Sequence, residues 1–115
     1  MERKVYYSRL LDFYGGLLPE KQQACMFQYY YDDLSLAEVS ENLGITRQGV
    51  RDYIKRGEAS LEKTEAELKL VEKDDEKRRV RAEVAAKLSA LADDVPEELA
   101  KRVRALADSI NSMDV

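Results

Sequence analysis

The sequence has no histidine, no tryptophan and a single cysteine. Without histidine, Ser-His-Asp and Cys-His nucleophile systems are excluded, together with the usual histidine-containing metal sites. Carboxylate chemistry is left open, but no enzyme active site, metal, cofactor or small-molecule substrate is expected. The lone Cys25 excludes an internal disulfide. Its apolar neighbours mark it as a buried thiol, and a single cysteine fits a reducing cytoplasm, the expected location. The longest apolar stretches are a few residues, too short for a transmembrane helix or a signal-peptide core. No membrane partner is therefore expected, and residues 1–8 read as the start of a folded helix.

Aromatic residues are missing from the back of the chain. All seven tyrosines and both phenylalanines lie at or before Tyr53, and no glycine follows Gly57. The front reads as a compact domain with bulky core residues, and the back as an Ala/Leu/Val helical extension. At 115 residues, the chain suits a small domain plus such an extension, with the boundary at Glu58. Charged residues make up 37% and hydrophobic ones 44%, a globular balance, and the net charge is −4. Residues 1–58 carry 8 basic and 9 acidic side chains, and residues 59–115 carry 11 and 14. Neither half is a polycation, so any nucleic-acid contact must come from a local patch.

The fold class is all-α. A first helix is predicted over residues 3–17, with Val5, Leu10, Phe13, Tyr14 and Leu17 on one face and Gly15-Gly16 near its end. Pro19 suits the first turn of a second helix over residues 20–31, whose inward residues are Cys25, Met26, Tyr29 and Tyr30. Ser35-Leu36-Ala37-Glu38 is a capping box that opens a short helix over residues 36–43. Gly44 supplies a left-handed turn, Ile45 packs inward, and Thr46 caps the helix that begins at Arg47. A cap, two turns of helix, a glycine, one apolar residue, a second cap and a basic helix together spell helix-turn-helix. The inward positions Ala37, Val39, Leu43, Ile45, Val50 and Ile54 agree with it.

The helix from Arg47 has no obvious stop. It is expected to reach about Val71, with Asp74-Asp75 as a candidate break. Val80, Val84, Leu88 and Leu91 define the next amphipathic helix, and Asp93-Asp94-Val95-Pro96 the next boundary. Leu99, Val103, Leu106, Ile110 and Met113 then step by four and three, a seam suited to pairing within the chain or across a homodimer.

On a wheel at ~100° per residue, Val50, Tyr53, Ile54 and Gly57 cluster on one side of the helix from Arg47. Gln48, Arg51, Asp52, Lys55 and Arg56 take the other, with Arg47 at the border. Residues 46–57 hold four basic side chains and one acid, the most basic face of the front domain. In a helix-turn-helix this face meets a groove or phosphates. The candidate nucleic-acid-binding residues are Thr46, Arg47, Gln48, Arg51, Lys55 and Arg56. Gln48 and Arg51 suit base edges, while Arg47, Lys55 and Arg56 suit phosphates. A solvated or protein-binding face is the competing reading, with Asp52 and Arg56 as an ordinary i,i+4 pair.

Other features read as structural. Adjacent Tyr29, Tyr30 and Tyr31 cannot all face one ligand. The paired acids at 32–33, 74–75 and 93–94 are assigned to helix ends. Arg78, Arg79 and Arg81 read as a solvated face first and an auxiliary phosphate contact second.

Several segments resemble the YlxM family of small bacterial helix-turn-helix proteins. They are Leu11-Asp12-Phe13-Tyr14-Gly15-Gly16-Leu17-Leu18, Lys21-Gln22, and the run from Tyr29-Tyr30-Tyr31-Asp32-Asp33 through Leu34-Ser35-Leu36-Ala37-Glu38. Gly44-Ile45-Thr46-Arg47-Gln48-Gly49-Val50 and Ile54-Lys55-Arg56 complete the set. The resemblance covers about residues 3–70, and residues 18–61 are also similar in fold to region 4 of bacterial sigma factors. It implies that Ser35, Glu38, Gly44, Thr46, Arg47, Gln48, Val50, Lys55 and Arg56 form the helix-turn-helix. It also implies a regulatory role in the signal recognition particle pathway, through contact with the particle's RNA, its GTPase or both. Departures fall at Gly49, where the family usually has alanine, and at Arg51 and Tyr53. A DNA-binding transcription regulator using the same helix is the first alternative, and a protein-binding adaptor the second.

Overall fold

The computed structural model describes residues 2–113. Among them are six α-helices and no strand: α1 (Arg3–Tyr14), α2 (Glu20–Tyr30), α3 (Leu36–Leu43), α4 (Arg47–Leu68), α5 (Leu70–Ala92) and α6 (Glu97–Asn111), with a 3₁₀ turn at Gly15–Leu17 after α1. The chain divides into two compact units, Met1–Val71 and Glu72–Val115. The first therefore runs past Glu58. Although the aromatics and glycines stop there, α4 still gives Leu61 to the core, and Val71 is buried with it.

In the first unit, α4 packs against α1, α2 and α3. The core holds Leu10, Leu11 and Tyr14 of α1, Cys25, Met26 and Tyr30 of α2, Val39 of α3, and Val50, Ile54 and Leu61 of α4. Gly57 sets how closely α2 and α4 approach. A Cβ there would lie 2.8 Å from the Met26 sulfur, and Met26 is fully buried.

The inward stripe of α1 is Tyr7, Leu10, Leu11 and Tyr14, while Val5, Phe13 and Leu17 are exposed. This corrects the face expected from apolar spacing. The hydroxyls of Tyr7 and Tyr14 reach carboxylates on α4, so burial of these amphipathic rings leaves no polar atom unsatisfied. Helix α1 also ends at Tyr14, with the two glycines in the 3₁₀ turn.

The break after α4 is at Lys69, whose φ of 56° is left-handed. It lies before both the expected end near Val71 and the candidate break at Asp74-Asp75. A non-glycine residue in this conformation costs about 1–2 kcal/mol. What offsets it is a tertiary cap on α5. The Leu70 N–H donates to the Tyr14 hydroxyl at 3.0 Å, and the Val71 N–H to the Glu65 carboxylate at 3.0 Å. The Tyr14 hydroxyl in turn donates to that carboxylate at 2.5 Å. Asp74 and Asp75 lie inside α5, where Asp74 pairs with Arg78 at 2.8 Å.

The second unit contains the rest of α5 and α6. Pro96 stands immediately before α6, as expected. The buried side chains are Ala85, Ala92, Ala100 and Ala107. Val103 and Ile110 are half-buried, whereas Leu99, Leu106 and Met113 are exposed. The inner line of α6 is thus one residue, or about 100° of helix, from the leucine line. Arg78 and Arg81 of α5 share a hollow of about 290 Å³ with Asn111 and Met113, so the two helices run as an antiparallel hairpin.

Candidate nucleic-acid interface

Local sequence builds the helix-turn-helix. The Ser35 hydroxyl accepts the Glu38 N–H at 3.1 Å, and the Glu38 carboxylate accepts the Ser35 N–H at 3.0 Å. These hydrogen bonds hold the Glu38 carboxyl below the usual carboxylate range. Gly44 closes α3 with φ 66° and ψ 33°, where a side chain would be strained. The Ser40 hydroxyl donates to the Ile45 carbonyl inside the turn. Thr46 then caps α4, its hydroxyl oxygen accepting the Gly49 N–H at 2.9 Å.

The polar face of α4 lies where the wheel placed it. Thr46, Arg47, Gln48, Arg51, Lys55 and Arg56 are all exposed, while Val50 and Ile54 are buried. Within this face Gln48 donates to Asp52 at 3.0 Å, and Arg51 donates to Gln48 at 3.5 Å. Asp52 therefore faces Gln48 rather than forming the i,i+4 pair with Arg56. Arg47, Lys55 and Arg56 make no ion pair among the described residues. Three cations without an ion-pair partner thus stand beside Gln48 and Arg51, and phosphates are the natural acceptors for the former.

Behind this face, α4 is held by hydrogen bonds that spacing alone did not reveal. The Tyr30 hydroxyl donates to Glu58, which also takes Arg3 at 2.9 Å. Tyr7 donates to Glu62 at 2.9 Å, and Tyr14 to Glu65. The three glutamates step by four and three along α4 and share one side of it. Burial, reinforced by the bond to Glu62, pushes the Tyr7 hydroxyl up to about 12. Burial likewise raises Tyr30, reinforced by its bond to Glu58, and Tyr14, reinforced by its bond to Glu65. The signal for this side in the sequence is that the steps between Glu58, Glu62 and Glu65 bracket the core residue Leu61.

The remaining candidates separate. Of the tyrosine run, Tyr30 is buried, Tyr29 half-buried, and Tyr31 exposed with its hydroxyl 2.5 Å from Asp12. Arg78 pairs with Asp74, and Arg79 with Glu76 and Glu83, so this cluster is largely engaged along its own helix. Among the described residues, no group of three or more Cys, Asp or Glu side chains is arranged to hold a metal ion. No helix there is long and apolar enough to cross a membrane.

Comparison with known proteins agrees with this geometry. The UPF0122 family, described as "Putative helix-turn-helix protein, YlxM / p13 like", matches residues 1–102. The chain belongs to this family. It is 42% identical over 106 residues to a UPF0122 protein of Bacillus mycoides (strain KBAB4), covering 92% of this chain and 96% of the relative. UPF0122 proteins of Bacillus cereus (strain AH187) and Bacillus anthracis (strain A0248) are each 41% identical over 114 residues, 99% of both chains. The likeness to UPF0122 proteins therefore extends beyond the helix-turn-helix motifs and through the second unit.

Proposed function

We propose that this UPF0122 protein is a non-enzymatic regulator of the bacterial cytoplasm whose α4 face docks on nucleic acid. The observation that carries the reading is the set of uncommitted cations Arg47, Lys55 and Arg56 beside Arg51, on the exposed face of a helix capped and buried as a reading helix. The family resemblance points to the RNA of the signal recognition particle as the ligand, with the particle's GTPase as a second contact. A second reading, duplex DNA bound by a transcription regulator, is favoured by one detail. Gln48 and Arg51 lie side by side in the first two turns of α4, where a reading helix meets base edges.

The proposal extends to a homodimer. Leu99, Leu106 and Met113 are exposed at intervals of seven residues on α6, and a second copy would cover them.

Fluorescence anisotropy with labelled signal-recognition-particle RNA and with random duplex DNA, across a salt series, tests the reading. Three to four phosphate contacts per monomer give a log–log salt slope of roughly −3 on duplex DNA. The Arg51/Lys55/Arg56→Ala variant should lose most of that slope. Preferential RNA binding lost in the variant supports the particle reading. Equal binding by the variant removes the α4 face from the interface.

A further inference from the structure

Beside the reading face, a hollow of about 230 Å³ opens between α1, α2, α3 and α4. Its cations are Arg3, Arg51 and Lys55, and its apolar lining is Tyr29, Leu36 and Ile54. We infer that this hollow seats one unpaired nucleotide of a bound RNA, the base against the apolar lining and the flanking phosphates on the three cations. The inference rests on the nucleic-acid reading of α4 and names a subsite within it.

Three observations support the assignment. The volume lies below the ~300–1,000 Å³ of ordinary small-molecule pockets, which suits one base better than a cofactor. An aromatic ring beside aliphatic side chains, bordered by arginine and lysine, is the surface on which single-stranded bases settle. Finally, Glu58 also lines the hollow, holding Arg3 with one oxygen and Tyr30 with the other. A carboxylate has about four acceptor positions, so Glu58 retains capacity for a base N–H.

Continuity with the reading face decides between nucleic-acid forms. Arg51 and Lys55 belong both to the α4 face and to the hollow. A helix docked on α4 would therefore bring a neighbouring nucleotide to the opening. A fully paired duplex keeps its bases stacked and has none to insert, whereas a bulge presents one at low cost.

The test uses the full-length protein and three RNA hairpins of the same stem: fully paired, with a single-nucleotide bulge, and with that bulge made abasic. The abasic arm keeps the backbone distortion and removes only the base. The wild-type protein should bind the bulged stem roughly tenfold tighter than either of the others, the scale of one base–aromatic contact. Tyr29→Ala should reduce that ratio to near one while leaving affinity for the paired stem within twofold. Ile54 and Leu36 help to hold the fold, so Arg3→Gln serves as the second variant. It should lower the bulge preference at least threefold without loss of helicity. Equal binding of bulged and abasic stems overturns the inference and leaves the α4 interface standing. So does a bulge preference undiminished in both variants. No binding to any arm overturns both readings together.

Discussion

The two units bury different chemistry. The first closes on tyrosine, leucine, methionine and valine, and the hydroxyls of three of its tyrosines donate hydrogen bonds to glutamates on α4. The second buries four alanines and leaves Val80, Val84, Leu91, Leu99, Leu106 and Met113 exposed. A buried alanine removes little apolar surface from water, so the second unit gains far less from burial per residue than the first. The helix-turn-helix thus packs on a hydrogen-bonded aromatic core, while the larger apolar side chains of the hairpin stay exposed.

The sharpest way to break this contrast is to cut one leucine in each unit. Leu10→Ala should destabilise the protein by about 2–5 kcal/mol in urea or thermal unfolding, because Leu10 is fully enclosed. Leu106→Ala should change stability by no more than about 0.5 kcal/mol, as expected for an exposed position. If Leu106→Ala costs as much as Leu10→Ala, the leucine line is covered in solution. The wild-type midpoint must then rise with protein concentration, as it does when a second copy binds only the folded chain.

The junction comes next in size. Glu65→Ala removes the acceptor of the Tyr14 hydroxyl and of the Val71 N–H. The expected cost is about 1–3 kcal/mol, that of leaving part-buried donors without partners. Lys69→Gly should act in the opposite direction by about 1 kcal/mol, since glycine adopts the left-handed conformation without a Cβ clash. An unchanged midpoint in Glu65→Ala would show that water replaces the carboxylate and that the α4–α5 break needs no tertiary cap.

These elements also show what was legible beforehand. The helix-turn-helix was readable because Ser35, Glu38, Gly44, Thr46 and the apolar spacing all act within a few residues of one another. The same locality made the polar face of α4 readable. The break at Lys69 was not, because the hydroxyl that caps the following helix belongs to Tyr14, 56 positions from Leu70. The inner face of α1 was misplaced, and the α6 residues that pair within the chain were not distinguished from the leucine line, for a related reason. Each helix carries two adjacent stripes able to face inward, and the choice depends on what lies opposite. Tyr7 and Tyr14 win on α1 because glutamates await their hydroxyls, while on α6 Ala100 and Ala107 are buried in place of Leu99 and Leu106.

The tyrosine hydroxyls make the contrast pH-dependent. The ordinary tyrosine value is 10.0, and Tyr7 is raised in the folded protein to about 12. A raised value means that the folded state holds the phenolic proton more tightly than the unfolded chain. The contribution is therefore complete below pH 10 and is lost as pH climbs through about 12. Tyr14 and Tyr30 move in the same direction. Unfolding followed by circular dichroism between pH 9 and pH 12 should show stability falling steeply, and Tyr7→Phe should make the fall shallower. A profile unchanged by Tyr7→Phe would assign the alkaline transition to other groups.

The smallest expected effect falls at the head of the reading helix, where two local terms oppose each other. Alanine in place of Gly49 should gain about 0.5–1 kcal/mol from reduced backbone freedom in the unfolded chain. The new Cβ, however, would lie 3.2 Å from the Thr46 hydroxyl oxygen that accepts the Gly49 N–H. Displacing that oxygen weakens an N-cap worth about 0.5–2 kcal/mol. Near-cancellation is expected, with a net change within about 0.5 kcal/mol. A stabilisation of the full helix-propensity gain would mean that Thr46 shifts without losing its bond. A loss greater than about 1 kcal/mol would match removal of the cap, and Thr46→Ala should then cost about as much. Because Gly49 is half-buried and its replacement by alanine changes no charge on the α4 face, RNA affinity should change less than twofold in either case. A larger change would mean that the position of the cap, and not the charge of α4 alone, sets the interface.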